Sequence, residues 1–152
     1  MKLIIGSDHL GYDFKEIIKE FIKKEFHIDC EDVGVYNKEP VDYPDIAFQL
    51  TDKIRKGLYD RGILICGTGA GMAIAANKVH GIYAAVCHDP YTAERAMKSN
   101  NTNVMALGAL VIGIETAKHM VRIWLSSQFQ GGLSTRKVGK IITQEREFLT
   151  AR

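Results

Sequence analysis

The run Gly62-Ile63-Leu64-Ile65-Cys66 constrains the fold more than any other feature of the chain. It carries no charge, and Gly67-Thr68-Gly69-Ala70-Gly71 follows it at once. A strand that is apolar at odd and even positions alike must be covered on both faces, as in a parallel sheet between two helical layers. Short apolar runs alternate with amphipathic stretches along the rest of the chain. The spacing predicts strands over Lys2–Gly6, His27–Val33, Tyr83–Cys87 and Val104–Leu107. Between them it predicts helices over Asp45–Lys56, Met72–Lys78 and Tyr91–Lys98, with Glu39–Pro44 as a loop. An earlier helix carries Phe14, Ile17, Ile18, Phe21 and Ile22 on one face and Lys15, Glu16, Lys19, Glu20 and Lys23 on the other. A later one carries Ala117, Met120, Val121, Trp124 and Leu125, and a last one Val138, Ile141, Ile142, Phe148 and Leu149. The expected fold is α/β: a single Rossmann-like three-layer sandwich with about five parallel strands, one domain over residues 1–152.

Composition excludes several classes of function. The formal charge is +2, from 20 basic and 18 acidic residues, too small and dispersed for nucleic acid. No apolar run is long enough to span a bilayer, and no signal-peptide pattern stands at the start, so no membrane partner and a cytoplasmic setting are expected. The three cysteines, Cys30, Cys66 and Cys87, form no C-x-x-C pair. Neither they nor the histidines show metal-ligand spacing, so no metal and no cofactor are expected. The apolar face of the Ala117–Leu125 helix exceeds what one sandwich readily buries and points to an oligomer, with core packing as the simpler alternative.

In parallel sheets, ligands bind beyond the carboxyl ends of the strands. Cys66 stands at such an end, ahead of Gly67, Gly69 and Gly71. Glycines there let backbone N–H groups turn toward an anion and favour a thiolate beside them. A base next to an N–H nest suits an enediolate, whose charge develops on oxygen as a carbon proton leaves. The spacing does not fit the G-x-G-x-x-G dinucleotide pattern, and a plain tight turn is the simpler alternative. At the end of the first strand, Ser7-Asp8-His9 can hold sugar hydroxyls and move protons; capping of the next helix by Ser7 or Asp8 explains the same residues. Cys87 and His88 point to opposite faces of a strand, so Cys87 reads as a buried hydrophobe, while His88 can still face the site. Cys30, mid-strand, reads as inert.

Five stretches together resemble the type B ribose-5-phosphate isomerase family, which includes the galactose-6-phosphate isomerase subunits. They are Gly6-Ser7-Asp8-His9 with Gly11, Asp42-Tyr43-Pro44, Gly62 through Gly69, Ala75-Ala76-Asn77-Lys78, and Asn100-Asn101-Thr102-Asn103-Val104. The resemblance implies aldose–ketose isomerisation of a sugar phosphate through an enediolate without metal, ribose 5-phosphate being the expected substrate. It implies Cys66 as the base, Thr68 as the hydroxyl assisting it, and Gly67, Gly69 and Gly71, with Ala70 between them, as the anion loop. Asp8, His9, Tyr43 and Asn100 would hold the sugar. It also implies a homodimer or dimer of dimers whose site the neighbouring subunit completes. Where many members have a histidine thought to open the sugar ring, this chain has Ser99. Ser99 therefore joins the catalytic set, with His9, then His88, as the candidate for ring opening. Leu110 and Leu133 stand where phosphate-binding arginines are expected, leaving Arg136 and Lys137. The alternatives are an isomerase of another phosphorylated or free aldose, tetrose or hexose; a thiol hydrolase built on Cys66; and a non-catalytic sugar-phosphate-binding module.

Overall fold

The computed structural model describes residues 1–151. In chain order the elements are β1 (Leu3–Ser7), a single 3₁₀ turn (His9–Gly11), α1 (Tyr12–Phe26), β2 (Glu31–Asp32), α2 (Tyr43–Arg55), β3 (Arg61–Cys66) and α3 (Ala70–Ala76). They continue with β4 (Ala84–Val86), α4 (Pro90–Lys98), β5 (Val104–Gly108), α5 (Ile114–Ser126) and α6 (Leu133–Thr150). All five strands pair in parallel, in the order β2-β1-β3-β5-β4.

The apolar run that announces β3 lies at the centre of that sheet. Its alternate residues feed two separate cores. Ile63 and Ile65 pack with α1, α4 and α5; Leu64 and Cys66 pack with α2 and α3. The expected Rossmann-like α/β sandwich is therefore present. No helix among the described residues is long and apolar enough to cross a membrane.

Several boundaries differ for identifiable reasons. Regular strand covers Glu31–Asp32 of the expected His27–Val33, because His27 ends α1 in a left-handed conformation (φ 56°); backbone bonds to β1 continue through Val33, Gly34 and Val35. Cys30 consequently lies outside the strand. Helix α2 begins at Tyr43 rather than Asp45; Pro44 sits in its first turn, where the missing N–H leaves no bond unmade.

Helix faces also depart from simple amphipathicity. Ile17 is exposed, whereas Lys15 is fully buried. Its ammonium donates to both carboxylate oxygens of Asp32 and to the Val35 carbonyl, each at 2.7 Å. A buried cation needs such a set of partners. On α5, Ala117, Met120, Val121, Trp124 and Leu125 all lie in the core. The argument for an oligomer from that helix does not hold. Uncovered apolar residues lie instead along α6, where only Val138 is buried and Ile141, Phe148 and Leu149 stay exposed.

Candidate active site

After β1 the chain crosses to β2 on one side; after β3 it crosses to the β5–β4 side. The carboxyl ends of β1 and β3 therefore flank a topological switch point, where open α/β sheets bind ligands. Ser7, Asp8, His9 and Cys66 meet there, and the Asp8 N–H donates to Ile65 O at 3.2 Å.

The turn after β3 folds back on itself. Gly69 adopts φ +79°, which brings its N–H to 3.1 Å from Cys66 Sγ. The sulfur accepts that bond, and an anionic sulfur accepts it better than a thiol does. Thr68 Oγ1 accepts the Ala70 N–H at 3.2 Å, closing a local turn just ahead of α3. Gly71 lies under the ring of Tyr43: a Cβ there would come within 2.7 Å of Tyr43 Cζ. Close approach, rather than an anion, accounts for that glycine.

Asp8 caps the 3₁₀ turn rather than the expected helix, since α1 begins after Gly11 with no side-chain cap. Its Oδ1 accepts the N–H groups of Leu10 and Gly11 at 3.0 and 3.1 Å. Oδ2 has no partner among the described residues. Beside it, Ser7 Oγ is buried and unpartnered. His9 Nδ1 accepts the Val41 N–H at 3.3 Å, which leaves Nε2 as the nitrogen carrying hydrogen. His88 Nε2 accepts the Gly108 N–H at 2.9 Å, and burial lowers the affinity of its ring for a proton. His88 thus holds the end of β5 and does not reach into the crevice with a free Nε2. Neither histidine is bonded to Cys66.

Burial pushes the Cys30 and Cys87 thiols up to about 12, so both are inert at neutral pH. Among the described residues no group of three or more His, Cys, Asp or Glu is placed to hold a metal ion.

Ser99, Asn100, Arg136 and Lys137 are not in the crevice. Ser99 ends α4, and Asn100 precedes Asn103, whose carbonyl accepts the Gly62 N–H at the start of β3. Four residues of strand, roughly 13 Å, separate that amino edge from Cys66. The segment entering α6 departs from the same edge, since the Gln130 N–H donates to Lys98 O at 3.1 Å. Arg136 and Lys137 follow it, exposed. A cavity of about 420 Å³ opens on this edge, lined by Tyr83, Tyr91, Arg95, Asn100, Thr102 and Ile141 among others.

Arg95 was not singled out from the sequence. Its Nε and one terminal nitrogen donate to Ser99 Oγ at 2.9 and 2.6 Å, fixing the guanidinium on the cavity wall. The i,i+4 spacing of Arg95 and Ser99 on a helix was the available signal.

The profile of the Ribose/Galactose Isomerase family matches residues 3–141. The chain is 49% identical over 138 residues to Ribose-5-P isomerase B of Listeria innocua, covering 91% of this chain and 93% of that protein. It is 46% identical over 142 residues to D-erythrulose-4-phosphate isomerase of Pectobacterium atrosepticum, covering 93% of each. Among solved structures, ribose-5-phosphate isomerase B of Clostridium thermocellum superposes with a TM-score of 0.94 at 45% identity, over 97% of this chain and 99% of that one.

Proposed function

The chain belongs to the ribose/galactose isomerase family and is an aldose–ketose isomerase of sugar phosphates; from that premise we propose that Cys66 is its proton-shuttling base and that each site is built from two copies of the chain. One observation carries the chemistry: Cys66 Sγ closes a central strand at the switch point and accepts the Gly69 N–H. As thiolate, Cys66 takes the proton from C2 of the aldose and returns it to C1, while the hydroxyl proton on O2 passes to O1, giving the ketose. Negative charge builds on the carbonyl oxygen in between, and the N–H groups opening α3 answer it. Asp8 Oδ2 accepts from a sugar hydroxyl, while His9 Nε2–H and the Tyr43 hydroxyl donate to others. Thr68 orders the turn.

The amino-edge residues then belong to the neighbouring copy's site. Ser99, Asn100, Arg136 and Lys137 are too far from the Cys66 of their own chain, and α6 offers the uncovered apolar surface for pairing. A symmetric dimer brings one chain's amino edge to the other's crevice twice. Lys137, with Arg136, supplies charge for the phosphate. The relatives' names carry both five-carbon 5-phosphates and a four-carbon 4-phosphate. Three unpaired cysteines suit a cytoplasmic setting.

In deuterium oxide the protein should place solvent deuterium on the carbon that receives the proton. Cys66→Ala should lose about 10²–10⁴-fold in kcat while still binding substrate. Near-normal turnover by that variant would remove Cys66 from the mechanism.

A further inference from the structure

Isomerisation acts on an open carbonyl, so a sugar that rests as a ring must first be opened. Opening a furanose requires a proton delivered to the ring oxygen and one removed from the anomeric hydroxyl. The crevice can accept a proton, at Asp8 Oδ2. A group able to give one up is what it lacks. His9 is held at Nδ1 by the Val41 N–H, so it meets the crevice through Nε2–H as a hydrogen-bond donor. His88 is taken by Gly108. Phenolic and aliphatic hydroxyls, those of Tyr43, Thr68 and Ser99, are weak acids at neutral pH.

The amino edge that would complete the site is no better supplied. Ser99 Oγ already accepts two N–H groups from Arg95. A guanidinium carries a fixed charge and donates hydrogen bonds without releasing its proton. Arg95 therefore turns this wall of the site into a rigid donor surface. On the crevice side, Leu10 and Leu110 lie 3.1 and 3.4 Å from where a Cβ on Gly67 would stand, and they crowd the entrance.

We infer that the substrate is a sugar phosphate that cannot close into a ring, a four-carbon aldose or ketose phosphorylated on its terminal oxygen, because neither the crevice nor the Arg95–Ser99 wall supplies a group that can give up a proton to a ring oxygen. In the aldose the only hydroxyl able to form a five-membered ring, that on C4, is esterified, and in the ketose no hydroxyl is far enough from C2 to form one, so no ring-opening group is needed. This inference rests on the isomerase reading and on its two-copy site.

The test compares erythrose 4-phosphate with ribose 5-phosphate on the unmodified protein. The four-carbon substrate should be favoured in kcat/KM by roughly 10²-fold, the size of one missing acid–base step. With ribose 5-phosphate and rising enzyme, the rate should reach a plateau set by spontaneous ring opening. The double variant Arg95→Leu/Ser99→His, which exchanges the fixed charge for a titratable ring, should lift that plateau and narrow the preference. Ribose 5-phosphate proving the better substrate, with a rate that climbs in proportion to enzyme throughout, overturns the inference and leaves the isomerase reading standing. Failure to convert either sugar, with no deuterium exchange, overturns both.

Discussion

Gly71 and Tyr43 occupy one another's space: a Cβ on the glycine would lie 2.7 Å from Cζ of the tyrosine and 3.1 Å from its hydroxyl. The ring belongs to the exposed start of α2 and can swing away. Gly71→Ala should therefore displace Tyr43 rather than unfold the protein. A lost hydroxyl contact is worth about 1 kcal/mol, so KM should rise roughly fivefold. The melting temperature should hardly move. An unchanged KM would show that the Tyr43 hydroxyl does not touch the sugar.

The three thiols should separate cleanly under iodoacetamide. Cys30 and Cys87, both held at about 12 by burial, keep roughly one part in 10⁵ as thiolate at neutral pH. Peptide mapping of the native protein should find the label on Cys66, with substrate slowing its attachment. Earlier labelling of Cys87 or Cys30 would contradict the assignment of Cys66 as the reactive thiol.

Two inactive variants should rescue each other. Cys66→Ala disables the carboxyl-edge half of a site and Asn100→Ala the amino-edge half. Unfolded together and refolded, they form mixed dimers in which one site has both halves intact. About a quarter of the unmodified activity should return, as random pairing in a twofold dimer dictates. No recovery would place both halves within one chain.

Asp32 should set the acid limit of stability. Burial alone raises its carboxyl, but the bonds from Lys15, Lys19 and the Gly34 N–H outweigh that and bring it below its ordinary value of 3.8. The stabilisation is complete above that ordinary value and is lost as the pH falls through Asp32's own lower value. Asp32→Asn strands the buried Lys15 and should cost about 3–5 kcal/mol near neutral pH. Denaturant unfolding between about pH 6 and about pH 2 should also show a shallower acid decline in the variant. A variant as stable as the parent would remove Lys15–Asp32 from the determinants of the β2–α2 connection.

The features legible in the sequence were those set by local pattern. β3 was legible because both its faces are apolar, and the turn after it because glycines crowd there. β2 was not, since Ile28-Asp29-Cys30-Glu31 alternates like a strand while the bonds to β1 begin only at Glu31 and run on past Asp32 to Val35. Lys15 reads as a solvated cation until Asp32, seventeen residues on, is brought beneath it. Position along the chain also hides which edge of the sheet a residue occupies. Cys66 and Asn100 look like parts of one site and stand at opposite ends of the strands. The apolar residues of α6 look like core and are surface in a single chain, because helical periodicity does not say whose core a face will join.

The separation of Cys66 from Ser99 along the sheet bears on how such a protein diversifies. In the proposed two-copy site, proton abstraction and part of the sugar's hydroxyl recognition fall at one end of the strands and the Arg95–Ser99 wall at the other, with the apolar interior of β3 and β5 between them. After gene duplication, one copy could acquire a new sugar by editing the end of a single helix, leaving the thiol turn as inherited. The subunit contact would then join an inherited chemistry to a newly selected appetite, so an ancestral and a descendant chain, if they still pair, would make a hybrid with two unlike sites.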